Sequence, residues 1–298
     1  MKKLAAGFIL IFLLSACGTD SSYEVSMERD LYFQKDKTSA FEIKVTDKDQ
    51  PAEGLDISAE LNMTDMDHGT YEVSFKEKGD GIYTGEAELP MAGKWEMIYT
   101  LEKDGKASEK VMEYEVKEPA GAAMINGEWI TNEDLEFYRF INELHLAIKA
   151  EEAGKKYQGD ELEDVLTGLE SEKESIQDQN TLLTQIIRLR AVAMLGSEKG
   201  YQAEKKEIEK ELNMVREQYD QFKIAKKMIS EFGEDKFWNK EQTQYELIIL
   251  TQKVQADLIA KVKKENPDVN EQEVLYLAKK QYEDLLVSQV HSLDIEIL

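Results

Sequence analysis

The sequence has one cysteine, three histidines and four prolines in 298 residues, and each scarcity closes off a class of protein. A single cysteine excludes a disulfide within the chain, a paired-thiol redox centre and a cysteine-built zinc site. Three histidines leave little material for metal hydrolysis or a histidine general base. Positive charge is also short: 37 Lys and Arg stand against 61 Asp and Glu, a formal net of −24. A polyanion of this kind repels phosphate, so no nucleic acid partner is expected. No phosphate-cradling glycine loop and no Ser-centred nucleophile elbow occurs, and acid pairs are too frequent for one to stand out as general acid and base. The expectation is that the chain is not an enzyme. With 42% hydrophobic and 33% charged residues and so little proline, it suits folded, largely helical matter better than disorder.

Long apolar runs are missing too. The run from Leu4 to Ala16, behind the basic Lys2-Lys3, has thirteen residues, whereas a membrane-spanning helix takes roughly 20. It fits the apolar region of a secretory signal. It ends in Leu14-Ser15-Ala16-Cys17, with Gly18-Thr19-Asp20-Ser21-Ser22 after it. This resembles the lipobox of bacterial lipoproteins. The resemblance implies that Cys17 carries a diacylglyceryl group and becomes the first residue after cleavage, with palmitate-type acylation anchoring the chain to the outer face of the cell membrane. Two acyl chains give stable attachment where one does not. Cleavage removes Lys2 and Lys3, which takes the net charge from −24 to −26.

Residues 1–17 thus read as a signal peptide and 18–22 as a tether. From Tyr23 to Val116 apolar and polar residues alternate, with turn signals every eight to twelve residues, the pattern of a β-sandwich. Phe41, Ile43 and Val45 share a face, as do Ile57, Ala59 and Leu61; Tyr71, Val73 and Phe75; Trp95, Met97, Tyr99 and Leu101; and Met112, Tyr114 and Val116. This predicts an immunoglobulin-like antiparallel sandwich of about seven strands over 23–117. Glu118-Pro119-Ala120-Gly121-Ala122-Ala123 begins a small-residue linker, 118–124. Beyond it the apolar period changes to about 3.6, which predicts an all-α domain over 125–298. Thr131 reads as an N-cap, followed by the stripe Phe137, Ile141, Leu144 and Ile148. Further helices are expected over Thr181–Leu195, from Ile208 through Phe222, and over about 240–263 and 270–290. The acidic segment 157–179 reads as a loosely packed helix whose apolar stripe is Leu162, Val165, Leu166 and Leu169. Leu293 to Ile297 alternates like a lone edge strand. The fold class is multidomain β + α.

Three stretches of the first half carry a resemblance: Met63-Thr64-Asp65-Met66-Asp67-His68-Gly69, Gly81-Ile82-Tyr83, and Met91-Ala92-Gly93-Lys94-Trp95-Glu96. They resemble the YtkA-like, or FixH-like, family of small extracytoplasmic sandwiches. In the second half, Ile125-Asn126-Gly127-Glu128-Trp129-Ile130-Thr131 leads into the first helix, and Gly196-Ser197-Glu198-Lys199-Gly200-Tyr201 ends a later one. This order is similar to the N-terminal chaperone domain of SurA-type and PrsA-like foldases. The resemblance implies binding of unfolded or exported polypeptide clients, or of a specific membrane protein. The parvulin isomerase domain of those relatives does not follow here, so no isomerase activity is expected.

Met63, Met66, His68 and Met91 offer thioether and imidazole donors that suit Cu(I), and the strand order expected above brings their loops to one end of the sandwich. The same methionines also suit irregular packing gaps. Asp65 to Gly69 lacks the third acid and closing Glu of a calcium loop. His145 falls on the helical stripe with Tyr138 and Ile148 and reads as an interface histidine. The reading that emerges is a polypeptide-binding lipoprotein without a required cofactor, with copper handling or oxidase assembly through the Met/His loop as the alternative.

Overall fold

The computed structural model describes residues 23–66 and 68–298. The chain divides into two compact units at Pro119/Ala120.

The first unit is a sandwich of two antiparallel sheets. One has β1 (Tyr23–Arg29), β2 (Ser39–Asp47), β7 (Ile82–Ala87) and β6 (Lys76–Gly79) in that order, with β3 (Gln50–Pro51) added to β2. The other is ordered β5 (Thr70–Ser74), β4 (Asp56–Met63), β8 (Gly93–Lys103) and β9 (Lys106–Val116). Alternation works as expected: Ile57, Ala59 and Leu61 from β4 and Trp95, Met97, Tyr99 and Leu101 from β8 are all buried. Among the described residues nine strands form rather than about seven. The run through Phe75 is split because the chain changes sheets there: β5 pairs with β4 and β6 pairs with β7. Phe75 itself stays on the core, edge-on to Phe41 with ring centroids 5.3 Å apart. Close approach sets the other corner. A Cβ on Gly81, at φ 73°, would come within 2.5 Å of the Val45 carbonyl oxygen. Beside it the Tyr83 hydroxyl donates to the Ala52 carbonyl and accepts from the Leu55 amide.

The second unit opens with β10 (Gly121–Ile125) and β11 (Glu128–Thr131), a hairpin turned by Asn126 and Gly127 at φ 49° and 81°. Seven helices follow: α1 (Asn132–Lys156), α2 (Asp160–Gln177), α3 (Gln179–Glu198), α4 (Lys205–Tyr219), α5 (Lys223–Phe232), α6 (Glu234–Glu265) and α7 (Glu271–Ser292). Thr131 caps α1 in a reciprocal box with Asp134.

Two expectations for this half are corrected. The linker expected over 118–124 is largely strand β10, and the edge strand expected at the C-terminus, β12 (Ile295–Ile297), pairs antiparallel with it to make a sheet of order β11-β10-β12. Asn126 and Asp294 fix the pairing by exchanging two hydrogen bonds, at 2.7 and 2.9 Å. Ala123, Ile125 and Ile130 of this sheet pack in one cluster with Leu182, Leu183 and Ile186 of α3. The helix expected to run through Phe222 instead ends at Tyr219, and α5 begins anew at Lys223. A carboxylate from α1 stabilises that start, since Glu151 Oε2 accepts from the Ile224 amide at 3.0 Å. The turn lets Tyr219, Phe222, Ala225 and Ile229 all reach the same buried cluster as Phe137 and Leu144. No helix among the described residues is long and apolar enough to cross a membrane.

Candidate functional site

At one end of the sandwich, β4 and β8 are paired so that Met63 lies opposite Trp95. The loop after β4 is tied down by Thr64, whose amide and hydroxyl both donate to the Lys94 carbonyl. Met63 is half-buried against the sandwich core, and its methyl fills the space over Gly93: a Cβ there would meet Met63 Cε at 2.6 Å. Gly93, at φ 144°, therefore has two reasons to be glycine. Met91 is half-buried in the bend just before β8, while Met66 and His68 in the loop are exposed. The same end of the sandwich thus holds Met63 and Met91 as partly packed side chains and Met66 and His68 in solvent. Asp67 and Cys17 lie outside the described residues. Trp95, of the turn motif, is fully buried and edge-on to Tyr71 at 5.7 Å.

In the second unit the charged side chains around the start of α1 form a network. Arg190 of α3 donates to Asp134 and to the Trp129 carbonyl, both at 2.9 Å, and Lys240 of α6 reaches Glu133 and Asp134. Burial works to raise the Asp134 pKa, but the Thr131 amide, Arg190 and Lys240 outweigh it and hold the carboxyl below its ordinary range. These residues rim a cleft of about 490 Å³, floored by Phe137, Tyr138 and Leu247.

Behind them sits an aromatic cluster from α1, α4, α5 and α6. Phe237 lies within 4.9 to 6.4 Å, centroid to centroid, of Phe137, Phe140, Tyr219, Phe232 and Trp238. Arg216 stacks over Trp238 at 4.3 Å. His145 is an interface residue as expected, with Nε2 3.1 Å from the Tyr219 hydroxyl. Desolvation, then the charge of Lys149, lowers its pKa.

Glu241, in the middle of α6, escaped the sequence reading. It is 3% exposed, and burial pushes its pKa up to about 7 despite a hydrogen bond from Tyr219. The signal existed: Glu241 stands midway between Phe237 and Tyr245, four residues from each, on the inward stripe of its helix.

Apolar clefts mark two further places. One, of about 330 Å³, opens between α1, α2 and α5; the other, of about 170 Å³, lies between α6 and α7 beside Leu258, Ile259, Leu275 and Tyr282. Leu275 is 49% exposed there.

The loop geometry, the buried Trp95 and the Gly93 bend all belong to the stretch that a family model recognises. Residues 19–100 match the YtkA-like family. The YtkA-like domain thus covers most of the sandwich. No curated protein matches the chain. Among solved structures, a filamin domain of Lin-41 is similar at 12% identity and a TM-score of 0.25, covering 33% of this chain and 95% of that one. A DUF4785 family protein from Legionella pneumophila is similar at 12% identity and a TM-score of 0.23, with 35% of this chain and 30% of that one covered. An endo-β-1,4-mannanase from Thermotoga petrophila is similar at 20% identity and a TM-score of 0.22, with 33% and 20% covered.

Proposed function

We propose that this is an extracytoplasmic lipoprotein, held at the outer face of the cell membrane by lipid on Cys17, whose helical unit binds exported or membrane-associated polypeptide. It works as a holding chaperone of SurA-like type, without catalysis. The observation that carries the reading is how the helical unit distributes its apolar residues. Most of its buried apolar side chains fall into four clusters rather than one. Between them lie the apolar clefts at α2 and α7, and Leu166, Met214, Leu275, Tyr276 and Val287 are left exposed. Extended clients bury apolar side chains in such clefts, while the acidic surface keeps the complex dissolved. The YtkA-like domain supports the extracytoplasmic placement.

The test is aggregation of an unfolded model protein. The chain suppresses it in proportion to concentration and without ATP, and does not accelerate proline isomerisation. Failure both to delay aggregation and to cross-link to exported chains in cells sinks the chaperone reading. Cys17→Ala abolishes fatty-acid labelling and membrane retention if the anchor is correctly assigned.

A second reading, Cu(I) handling or oxidase assembly, is favoured by the placement of Met63, Met91 and the 64–69 loop at one end of the sandwich. Titration under reducing conditions gives about one Cu(I) per chain if that reading holds, and loses it in the Met66→Ala, His68→Ala double variant. Binding that survives in the double variant, or no binding at all, leaves these side chains to packing and solvent.

A further inference from the structure

Of the nine asparagines in the chain, only Asn126 is followed by glycine. The pair forms the two-residue turn between β10 and β11, with Ile125 facing Glu128 across it and both turn residues at positive φ. Both are exposed, and a Cβ built on Gly127 would meet nothing within 4 Å. The Gly127 nitrogen can therefore swing towards the side chain before it without a steric block. The Asp294 amide donates to Asn126 Oδ1 at 2.9 Å, so the carbonyl that the nitrogen would attack is already polarised. The same donor suits the oxyanion that attack creates. Elsewhere the chain protects its asparagines. Asn142, Asn213 and Asn239 lie inside helices, where the next amide is held in the helical ladder, and Asn266 precedes Pro267, which has no N–H.

β12 depends on this turn. It has three residues, and Ile295 opposite Ile125 is the last rung of its ladder on β10. Beyond that rung Asn126 closes the sheet: its amide donates to the Asp294 carbonyl at 2.7 Å, and its side chain accepts from the Asp294 amide. At the other end the Leu298 amide donates to the Ala122 carbonyl at 3.0 Å, and Ile297 is 60% exposed. Leu293 and Ile295 add only partly buried side chains to the cluster that holds Leu182 and Ile186. A strand this short, held by few bonds and little burial, opens at low cost.

We propose that Asn126 is a site of spontaneous modification, where deamidation to isoaspartate frees β12 from the sheet. Water takes the proton of the Gly127 amide as its nitrogen attacks Asn126 Cγ. A C–N bond forms, and Nδ2 leaves as ammonia with a proton from solvent, which closes a succinimide ring. Water then adds to one of the two ring carbonyls. Addition at Cγ gives aspartate; addition at the main-chain carbonyl of residue 126 gives isoaspartate, whose main chain runs through Cβ and Cγ. Water is consumed and ammonia released, with no change of oxidation state. The two products differ at β12. Aspartate keeps the turn and offers the Asp294 amide a charged acceptor in place of a neutral one. Isoaspartate adds a carbon to the main chain of a two-residue turn and draws the accepting carbonyl into the backbone. The Ile125–Ile295 rung and the bonds to Asp294 are then lost together. This chemistry is independent of the polypeptide-binding reading.

The test ages residues 17–298 carrying Cys17→Ser in mildly alkaline buffer. Peptide mass spectrometry follows the exchange of NH for O at each asparagine, and isoaspartyl methyltransferase labels the isoaspartate. Asn126 reacts before any other asparagine and takes up the label. In the separated isoaspartate fraction, the amides of residues 293–298 exchange hydrogen about tenfold faster or more than in fresh protein. Asn126→Gly, which tolerates the positive φ but cannot close the ring, takes no label at the turn and exchanges alike before and after ageing. Freshly prepared Asn126→Asp keeps the protection of β12. An Asn126 that stays intact while other asparagines react overturns the site. Isoaspartate at 126 with unchanged exchange at 293–298 overturns the release of β12. Exchange that quickens equally in aged Asn126→Gly assigns the opening to other damage and overturns the proposal as well.

Discussion

Among the described residues the sandwich gathers its eighteen buried apolar residues into one cluster, whereas the helical unit spreads most of its own over clusters of nine, nine, four and three. Two facing sheets enclose a single volume, so every inward side chain of β4 or β8 meets the same core. Long helices cannot do this when they are joined as α3, α6 and α7 are. α6 has 32 residues; around Val254 it packs with both α3 and α7, and around Val262 it packs with the start of α7 in a separate cluster. A single core ties the whole domain to one cooperative transition, while small separate cores let parts open alone. That difference is why the proposed binding faces fall in the helical unit.

The comparison can be broken most forcefully at Trp95. Trp95→Ala removes the largest fully buried side chain of a single core and costs the sandwich about 3–5 kcal/mol. In the full chain, near-UV circular dichroism records the loss, while the helical signal at 222 nm keeps its midpoint. A common shift of both signals would refute separate cores.

Glu241 gives the next largest effect. Its pKa in the folded unit is raised from 4.5 to about 7, so the folded state holds its proton more tightly than the unfolded chain does. The stability this lends is complete below pH 4.5 and is lost as pH rises towards 7, a difference of about 3 kcal/mol. Helical stability of the wild type, compared with Glu241→Gln between pH 4.5 and 8, isolates this slope from that of other carboxyls. Parallel pH profiles would show that Glu241 is not protonated in the fold.

Smaller perturbations sharpen the picture. Thr131→Ala removes the capping box at the start of α1 and costs about 1 kcal/mol, with no effect on the sandwich transition. Least of all, Arg188→Ala breaks an exposed pair in which Arg188 Nη2 donates to both carboxylate oxygens of Glu283, for at most about 1 kcal/mol, and less at high salt. A larger loss would mean that the α3–α7 contact depends on charge more than on the packing of Ala191, Val192 and Leu286.

Much of the fold was legible because its causes are local. The alternation at Ile57, Ala59 and Leu61 needs only a pleated strand with one buried face, and Thr131 followed by Asp134 needs only a helix start. The helix break at Phe222 was not legible, because the residues 208 to 222 keep a helical period straight through it. What decides the break is Glu151, more than seventy residues away, supplying an acceptor for the Ile224 amide. At the sandwich end the donor types of Met63, Met66, His68 and Met91 could be read, but not that Met63 would spend its side chain covering Gly93.

By itself the sequence determined the two structural periods, since period follows from backbone geometry that each segment carries alone. It also carried the turn residues and the acidic character of the surface. Only the tertiary structure decided which strand closes on β10 and that the carboxyl of Glu241 is buried. Each of these depends on groups distant in sequence meeting in space, where burial changes the energy of a charge and packing fixes which contacts survive.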